Sequence, residues 1–280
     1  MTETVFPMAK VNLGLNVVER RTDGYHNLQT VFYPVPIADR LEVSTIDNAV
    51  DGEACCQLTL SGIELDGDSQ QNLAVRAYDR LQQLFPGRLP ALRVHLHKTI
   101  PVQAGMGGGS SDGTAMLCLL NRQFALGLTN EQLVQLAASL GADCPFFVQA
   151  TPAYAEGIGE KLTPIALSLS GWYMAVVRPP VSVSTREAFA LVKPRQPQHN
   201  CRDVVLQPVE TWKDLLTNDF EDSVFPQYPI IAQVKDQLNR LGAVYAAMSG
   251  SGSALFGLFR DCIDVKRHFP GMFATVVALK

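Results

Sequence analysis

Chemistry is densest between residues 101 and 112: Pro101-Val102-Gln103-Ala104-Gly105-Met106-Gly107-Gly108-Gly109-Ser110-Ser111-Asp112. Glycine lets a backbone come close to an anion and adopt positive φ. The free amides at a helix start point at such an anion with the positive end of the helix dipole behind them. The extended stretch Arg93 to Ile100 leads into this loop, and the apolar run Ala115 to Leu120 with Phe124 reads as the helix it opens. Glycine clusters also form tight turns with no ligand, but three consecutive glycines and two serines at a helix start favour a bound phosphate. The loop is not a P-loop, since no G-x-x-x-x-G-K-[ST] occurs. It is also a poor dinucleotide fingerprint, since Ser110 stands where the third glycine would fall counting from Gly105. The lysine, aspartate and D-F-G set of protein kinases is missing too.

Three other places carry weaker signals. Ala9, Val11, Leu13, Leu15 and Val17 alternate with Lys10, Asn12, Gly14 and Asn16, the period of a half-buried strand, which puts Lys10 and Asn12 on one polar face. Met248 to Ser253 is a Gly/Ser turn between two strands, a pattern that needs no ligand. His95 and His97 alternate along one strand face, which could suit a metal, but no third ligand stands at a suitable spacing.

The elements that must hold these residues are legible in outline. Asp23-Gly24 marks a hairpin tip between two apolar runs, and a helix is expected from near Asn72 through Leu73, Ala77, Leu81 and Leu84. Thr129 to Gln132 fits a capping box for a helix bearing Leu133, Leu136, Ala137 and Leu140, which stops at Gly141; Asp143 lies in the turn just beyond, before Pro145. From about Ala150 the texture changes to short strands and turns, among them Trp172 to Val177. This places the boundary between an N-terminal lobe, 1–150, and a C-terminal lobe, 151–280. In the second lobe Ser184 to Glu187 fits the capping box of a helix carrying Phe189. A loop of low pattern follows from Pro194 to Pro208, and a helix starts at Pro229, where proline suits the first helical position.

Composition excludes several function classes. With 280 residues, 47% of them apolar, the chain can bury a sizeable core, and two lobes around a cleft are expected. A formal charge of −4 and the lack of any Lys/Arg run argue against nucleic-acid or membrane-surface binding. No basic n-region precedes an apolar stretch near residues 1–10, and no uninterrupted apolar segment approaches about 18 residues, so a cytoplasmic protein is expected. Six cysteines without C-x-x-C spacing read as free thiols.

Three segments together resemble the motifs of the GHMP kinases: Ala9-Lys10-Val11-Asn12-Leu13, Pro101 to Asp112, and Met248 to Ser253. Arg21 to Thr30, Leu140 to Phe147 and Ala155 to Glu160 are similar to one branch of that superfamily. That branch phosphorylates the 2-hydroxyl of 4-diphosphocytidyl-2-C-methyl-D-erythritol with ATP in non-mevalonate isoprenoid synthesis. The likeness runs from about Phe6 to Ala278. It implies an α+β fold of two lobes, the first like ribosomal protein S5 domain 2 and the second ferredoxin-like. By position, Lys10 and Asp143 match the family's catalytic pair. Pro101, Gln103, Ala104, Gly105, Met106, Gly107, Gly108, Gly109, Ser110 and Ser111 match its ATP loop, and Asn72 and Lys98 match residues near the adenine. Asn12, Tyr25, His26, Thr185 and Phe189 match substrate contacts, with Tyr25 and Phe189 in the places of aromatics that sandwich the cytosine. Mg²⁺ is expected to arrive with ATP, its protein ligands left open. The implied partner is a small molecule, a cytidine diphosphate ester of methylerythritol; oligomeric state is left open between a monomer and a weak homodimer. Asp112 departs from the pattern, standing where many relatives carry a small or amide residue, so its role is open. Rival readings are another GHMP kinase acting on a different small alcohol and a non-catalytic ligand-binding protein on the same fold.

Overall fold

The computed structural model describes residues 2–46, 55–64 and 68–280. Its strands, in chain order, are β1 Thr2–Val5, β2 Met8–Arg20, β3 His26–Ala38, β4 Arg40–Thr45, β5 Cys56–Gly62, β6 Leu92–Lys98, β7 Ala153–Gly157, β8 Lys161–Pro164, β9 Tyr173–Arg178, β10 Tyr245–Met248, β11 Leu255–Phe259 and β12 Phe273–Ala278. The α-helices are α1 Leu73–Leu84, α2 Gly108–Gln123, α3 Asn130–Ala138, α4 Thr185–Leu191, α5 Cys201–Val204, α6 Trp212–Leu215, α7 Asp219–Val224 and α8 Pro229–Arg240. Among the described residues no helix is long and apolar enough to cross a membrane.

The chain forms two compact units. The first comprises Met1–Ala9, Ile37–Val102 and Gly107–Ala150; the second comprises Lys10–Pro36, Gln103–Met106 and Thr151–Lys280. The sequence texture changes at the Ala150–Thr151 junction, and a junction between units falls there. The units are nonetheless discontinuous, because β3 takes its partner from beyond that point: Leu28 pairs with Gly157 and Phe32 with Ala153 on β7.

In the first unit one sheet runs in the order β1-β4-β6-β5, antiparallel except for the parallel pair β5–β6, which α1 connects. Period-2 alternation on β6 buries Leu92, Val94 and Leu96 against Leu81, Leu117 and Leu120. Truncating one of these leucines to Ala should cost about 2–5 kcal/mol. The same period carries Lys98 to the inner face and turns Arg93, His95 and His97 outward. There His95 and His97 meet the Ser61 hydroxyl at 2.9 Å each, and His95 Nδ1 meets Glu42 at 2.8 Å. Among the described residues no cluster of three or more His, Cys, Asp or Glu could hold a metal ion.

In the second unit the sheet β2-β3-β7-β8 lies beside a fully antiparallel sheet of order β10-β11-β9-β12, the strand order of a ferredoxin-like layer. Helix α8 presents Ile231, Val234 and Leu238 to a core with Val177, Met248 and Leu255. The return from β11 to β12 uses only the 3₁₀ turn Lys266–His268.

Several expectations are met locally. Gly24, at φ +88°, closes the hairpin tip, and Thr129 and Gln132 form the reciprocal capping box. All six cysteines are free thiols. Others need correction. Strand β2 is buried on both faces along most of its length, so the Lys10–Asn12 face is interior, not solvated. Ser184 is the N-cap of α4 but its side chain makes no capping bond; Glu187, the residue expected to complete the box, instead accepts from the Tyr228 hydroxyl at 3.4 Å. The 194–208 segment is not a plain loop, since α5 lies in it and Arg195 pairs with Asp219 and Asp222 on α7.

Candidate active site

In the first unit the glycine-rich segment becomes the start of α2. Gly107 is the N-cap at φ +69°, a conformation that strains residues with a β-carbon, and it contributes no side-chain cap. Ser111 N takes the Gly107 carbonyl at 2.9 Å. The amides of Gly108, Gly109 and Ser110 precede that first helical bond and have no acceptor within the helix. Gly109 is exposed, and the atom nearest to an added Cβ would be Leu73 Cδ1, at 4.0 Å. Open amides, the helix dipole and a clear approach make this end of α2 an anion cradle. Ser111 itself is buried.

Asp143 sits in the turn that follows α3, as N-cap of the 3₁₀ segment Cys144–Val148, and makes no side-chain cap bond to it. That turn is fastened to α2. Thr114 Oγ1 donates to the Cys144 carbonyl at 2.9 Å, and burial pushes the Cys144 thiol pKa up. A Cβ on Gly141 would lie 3.9 Å from Ser110 Oγ, so the turn approaches the first turn of α2 closely. The carboxylate-bearing turn and the amide cradle are thus neighbours within one compact unit.

Asn72 and Lys98, expected near an adenine, have structural duties here. Asn72 caps α1, its Oδ1 accepting from Ala74 N at 2.9 Å. Lys98 is 4% exposed, and its ammonium is shared by Asp39 and Asp112, the latter at 2.6 Å. Pro101 is buried in the approach to the loop.

In the second unit three stretches distant in sequence converge on one carbonyl. Lys10, 3% exposed, directs Nζ to Asn12 Oδ1 at 2.8 Å and to the Gly105 carbonyl at 2.9 Å, and lies 4.9 Å from the centre of the Phe32 ring. Ser249 Oγ donates to the same Gly105 carbonyl at 2.9 Å. Asn12 is oriented in turn, since its Nδ2 donates to Thr30 Oγ1 and that hydroxyl donates to the Gly14 carbonyl. The loop backbone is pinned on either side: Lys10 N donates to Met106 O at 3.0 Å and Ala254 N to Ala104 O at 3.3 Å. Gly105 has φ +71°, and an added Cβ would fall 1.9 Å from the Ser249 carbonyl oxygen, so only glycine fits. Gln103 precedes it at φ +50°.

The expected substrate residues lie in the same unit. His26 stacks on Phe189, with ring centroids 5.0 Å apart and planes 20° apart, and Phe189 meets Phe220 edge-on at 4.8 Å. Burial, with Arg20 adding to it, lowers the His26 pKa and favours a neutral imidazole. Tyr25 is 60% exposed at the hairpin tip. Thr185 Oγ1 and Ser251 Oγ share a hydrogen bond of 3.2 Å. The pair stacked in this structure is His26 and Phe189.

Sequence reading missed the supports. Asn218 Nδ2 donates to both the Met248 and Gly250 carbonyls at 2.8 Å, and Glu221 accepts from Met248 N at 2.8 Å. Both belong to the α7 start and hold the Met248–Ser253 turn in place. Only Asn218, a good N-cap residue ahead of the acidic run Asp219, Glu221 and Asp222, left a signal, and it pointed to a helix start.

Residues 72–150 match the family "GHMP kinases N terminal domain" and residues 202–267 match "GHMP kinases C terminal". A protein of Bacteroides fragilis named 4-diphosphocytidyl-2-C-methyl-D-erythritol kinase is 51% identical over 276 residues, covering 98% of this chain and 99% of that protein. One of the same name from Parabacteroides distasonis is 45% identical over 263 residues, covering 94% of each. A solved crystal structure of 4-(cytidine 5'-diphospho)-2C-methyl-D-erythritol kinase aligns with a TM-score of 0.83 at 31% identity, covering 99% of both chains.

Proposed function

The chain belongs to the GHMP kinases, and from that membership we propose that it transfers the γ-phosphoryl group of ATP to the 2-hydroxyl of 4-diphosphocytidyl-2-C-methyl-D-erythritol, a step of non-mevalonate isoprenoid synthesis. The observation that carries the reading is the pairing, inside one unit, of the uncapped α2 start with the Asp143 turn. Phosphoryl transfer passes through a loose transition state, so the protein chiefly aligns donor and acceptor and stabilises spreading charge. The amides of Gly108, Gly109 and Ser110 serve the phosphate oxygens. A tertiary alcohol is a very weak acid, and Asp143 takes its proton late, as the bond to phosphorus forms. Lys10 supplies positive charge to the transfer; its burial and its two carbonyl-type acceptors support this role, because they fix the direction of Nζ. Mg²⁺ neutralises phosphate charge when bound. The ion would come with the nucleotide, and the Ser110 or Ser111 hydroxyl would be its candidate ligand from the loop. For the cytidine ring, Phe189 offers an aromatic face, Tyr25 a second one from the hairpin tip, and neutral His26 a donor or acceptor for the amide-like edge.

The test is ATP turnover with the cytidylyl substrate against a panel of other small alcohols. Lys10→Ala and Asp143→Asn are expected to lower kcat by roughly 10²–10⁴-fold while ATP still binds. Activity within a few-fold of the parent in both variants refutes the assignment of the pair. Tyr25→Ala should raise KM for the cytidylyl substrate more than for ATP; equal effects would count against an aromatic reader of cytosine.

A further inference from the structure

Beneath the anion cradle lies a charged group that the mechanism does not use. Asp39, fully buried between β3 and β4, accepts from the backbone amides of Thr99 at 2.5 Å and Ile100 at 2.8 Å, and its other oxygen takes the Lys98 ammonium. Lys98, the last residue of β6, also reaches Asp112 Oδ2 at 2.6 Å. Asp112 is the fifth residue of α2 and only 2% exposed; among the described residues its Oδ1 has no hydrogen-bond partner. A Cβ on Gly108 would lie 3.0 Å from Ile100 Cγ2 and 3.5 Å from Lys98 Nζ, so the ammonium sits directly under the first turn of α2.

We propose that Asp39 and Asp112 are positioning residues for the nucleotide, acting through Lys98: the triad locks the exit of β6 to the first turn of α2 and so sets where the Gly108–Ser110 amides point. Three segments meet at one ammonium: the β3–β4 turn, the end of β6 and the start of α2. Burying two carboxylates and a lysine carries a desolvation cost that well-packed apolar side chains would avoid. The neighbouring core is in fact built of leucine and valine. What ionic contacts add is direction. A carboxylate that accepts two consecutive backbone amides fixes the chain leaving the strand, and an ammonium held between two carboxylates admits few alternative registers. An amide cradle acts on a phosphate only if its N–H groups are aimed before the ligand arrives, so such fixing bears on nucleotide affinity.

The inference rests on the reading that the α2 start binds ATP. The test is calorimetry with a non-hydrolysable ATP analogue, beside steady-state kinetics on the cytidylyl substrate. Asp112→Ala is expected to weaken the analogue by about tenfold, the scale of a small misplacement of binding groups, with KM for the cytidylyl substrate unchanged. Asp112→Asn keeps an acceptor for Lys98 in the same place and is expected to stay close to the parent. Should the alanine variant not fold, Asp112→Ser is compared with Asp112→Asn in the same way. The proposal is overturned if the truncated variant binds the analogue as the parent does, if alanine and asparagine lose affinity equally, or if both ligands are weakened alike. If the parent chain binds the analogue but fails to phosphorylate the cytidylyl substrate, the functional reading falls, and the calorimetric comparison still decides the positioning claim.

Discussion

Two lysines of this protein, Lys10 and Lys98, are almost wholly buried, and the groups that direct them differ. Lys10 directs its ammonium to the carbonyl oxygens of Asn12 and Gly105, dipoles that fix where Nζ points. Lys98 is clamped between the acidic side chains of Asp39 and Asp112. A cation meant to act on phosphate oxygens gains from the first arrangement, and a cation meant to hold elements together gains from the second. Burial alone therefore says little about the role of a lysine; the segments its ammonium joins say more.

Replacing each lysine by Met, which keeps most of the length and removes the charge, tests this contrast most severely. Lys98→Met leaves Asp39 and Asp112 facing each other with no cation. Breaking a buried pair from one side costs about 3–5 kcal/mol, to be read by urea unfolding. Adding Asp112→Asn to that variant should recover a substantial part of the loss. Lys10→Met leaves the Gly105 carbonyl still bonded by Ser249 Oγ and should abolish most turnover. Turnover near the parent level in Lys10→Met would dissolve the distinction.

A smaller effect separates two glycines of the loop. Gly105→Ala drives a methyl to 1.9 Å from the Ser249 carbonyl oxygen in a positive-φ conformation, and the carbonyl that Lys10 and Ser249 both address must move. Gly109→Ala meets only Leu73 Cδ1, in ordinary contact at 4.0 Å, and in a helical conformation. We expect Gly105→Ala to lower kcat/KM by about two orders of magnitude, the scale of a misplaced reacting group. Gly109→Ala is expected to change melting little and to act only through nucleotide affinity. Comparable kcat losses in both would mean that crowding at Ser249 is not what makes Gly105 necessary.

How much of this the sequence carried depends on the kind of signal involved. Period-2 runs and capping residues are local, so β2, β6, the Thr129 box and the α8 start at Pro229 were readable. The glycine loop was readable as a helix start because glycines and serines ahead of an apolar helical run have a local meaning. Convergence on the Gly105 carbonyl was not legible, since Lys10, Gly105 and Ser249 are far apart in sequence and no periodicity links them. Lys98 was half-legible: the alternation Leu92, Val94, Leu96 already put it on the inner face. Its partners came from Asp39, which has no pattern around it, and from Asp112, which looked like a departure from a motif. The Ser184 box failed for a related reason, since a non-local hydroxyl, that of Tyr228, took the glutamate its pattern required.

The smallest effect tests the electrostatics of the Lys98 side directly. The charged groups facing Asp112 are Lys98 from β6 and Asp39 from the turn before β4. Burial, opposed by Lys98 and reinforced by Asp39, pushes the Asp112 carboxyl up to about 8 from an ordinary 3.8. Between those values the folded protein holds a proton that the unfolded chain has released, so unfolding releases a proton. By linkage, stability contributed by this group is fully present below about pH 4, falls as pH rises and is gone above about pH 8. The side-chain amide introduced by Asp112→Asn imitates the protonated carboxyl and cannot titrate. The parent should therefore lose stability relative to Asp112→Asn as urea unfolding is repeated from about pH 5 to about pH 9, while exposed carboxylates such as Asp23 and Glu42 cancel in the difference. Parallel curves would show that Asp112 is ionised throughout that range, and the triad would then have to be redrawn as one ammonium holding two full negative charges.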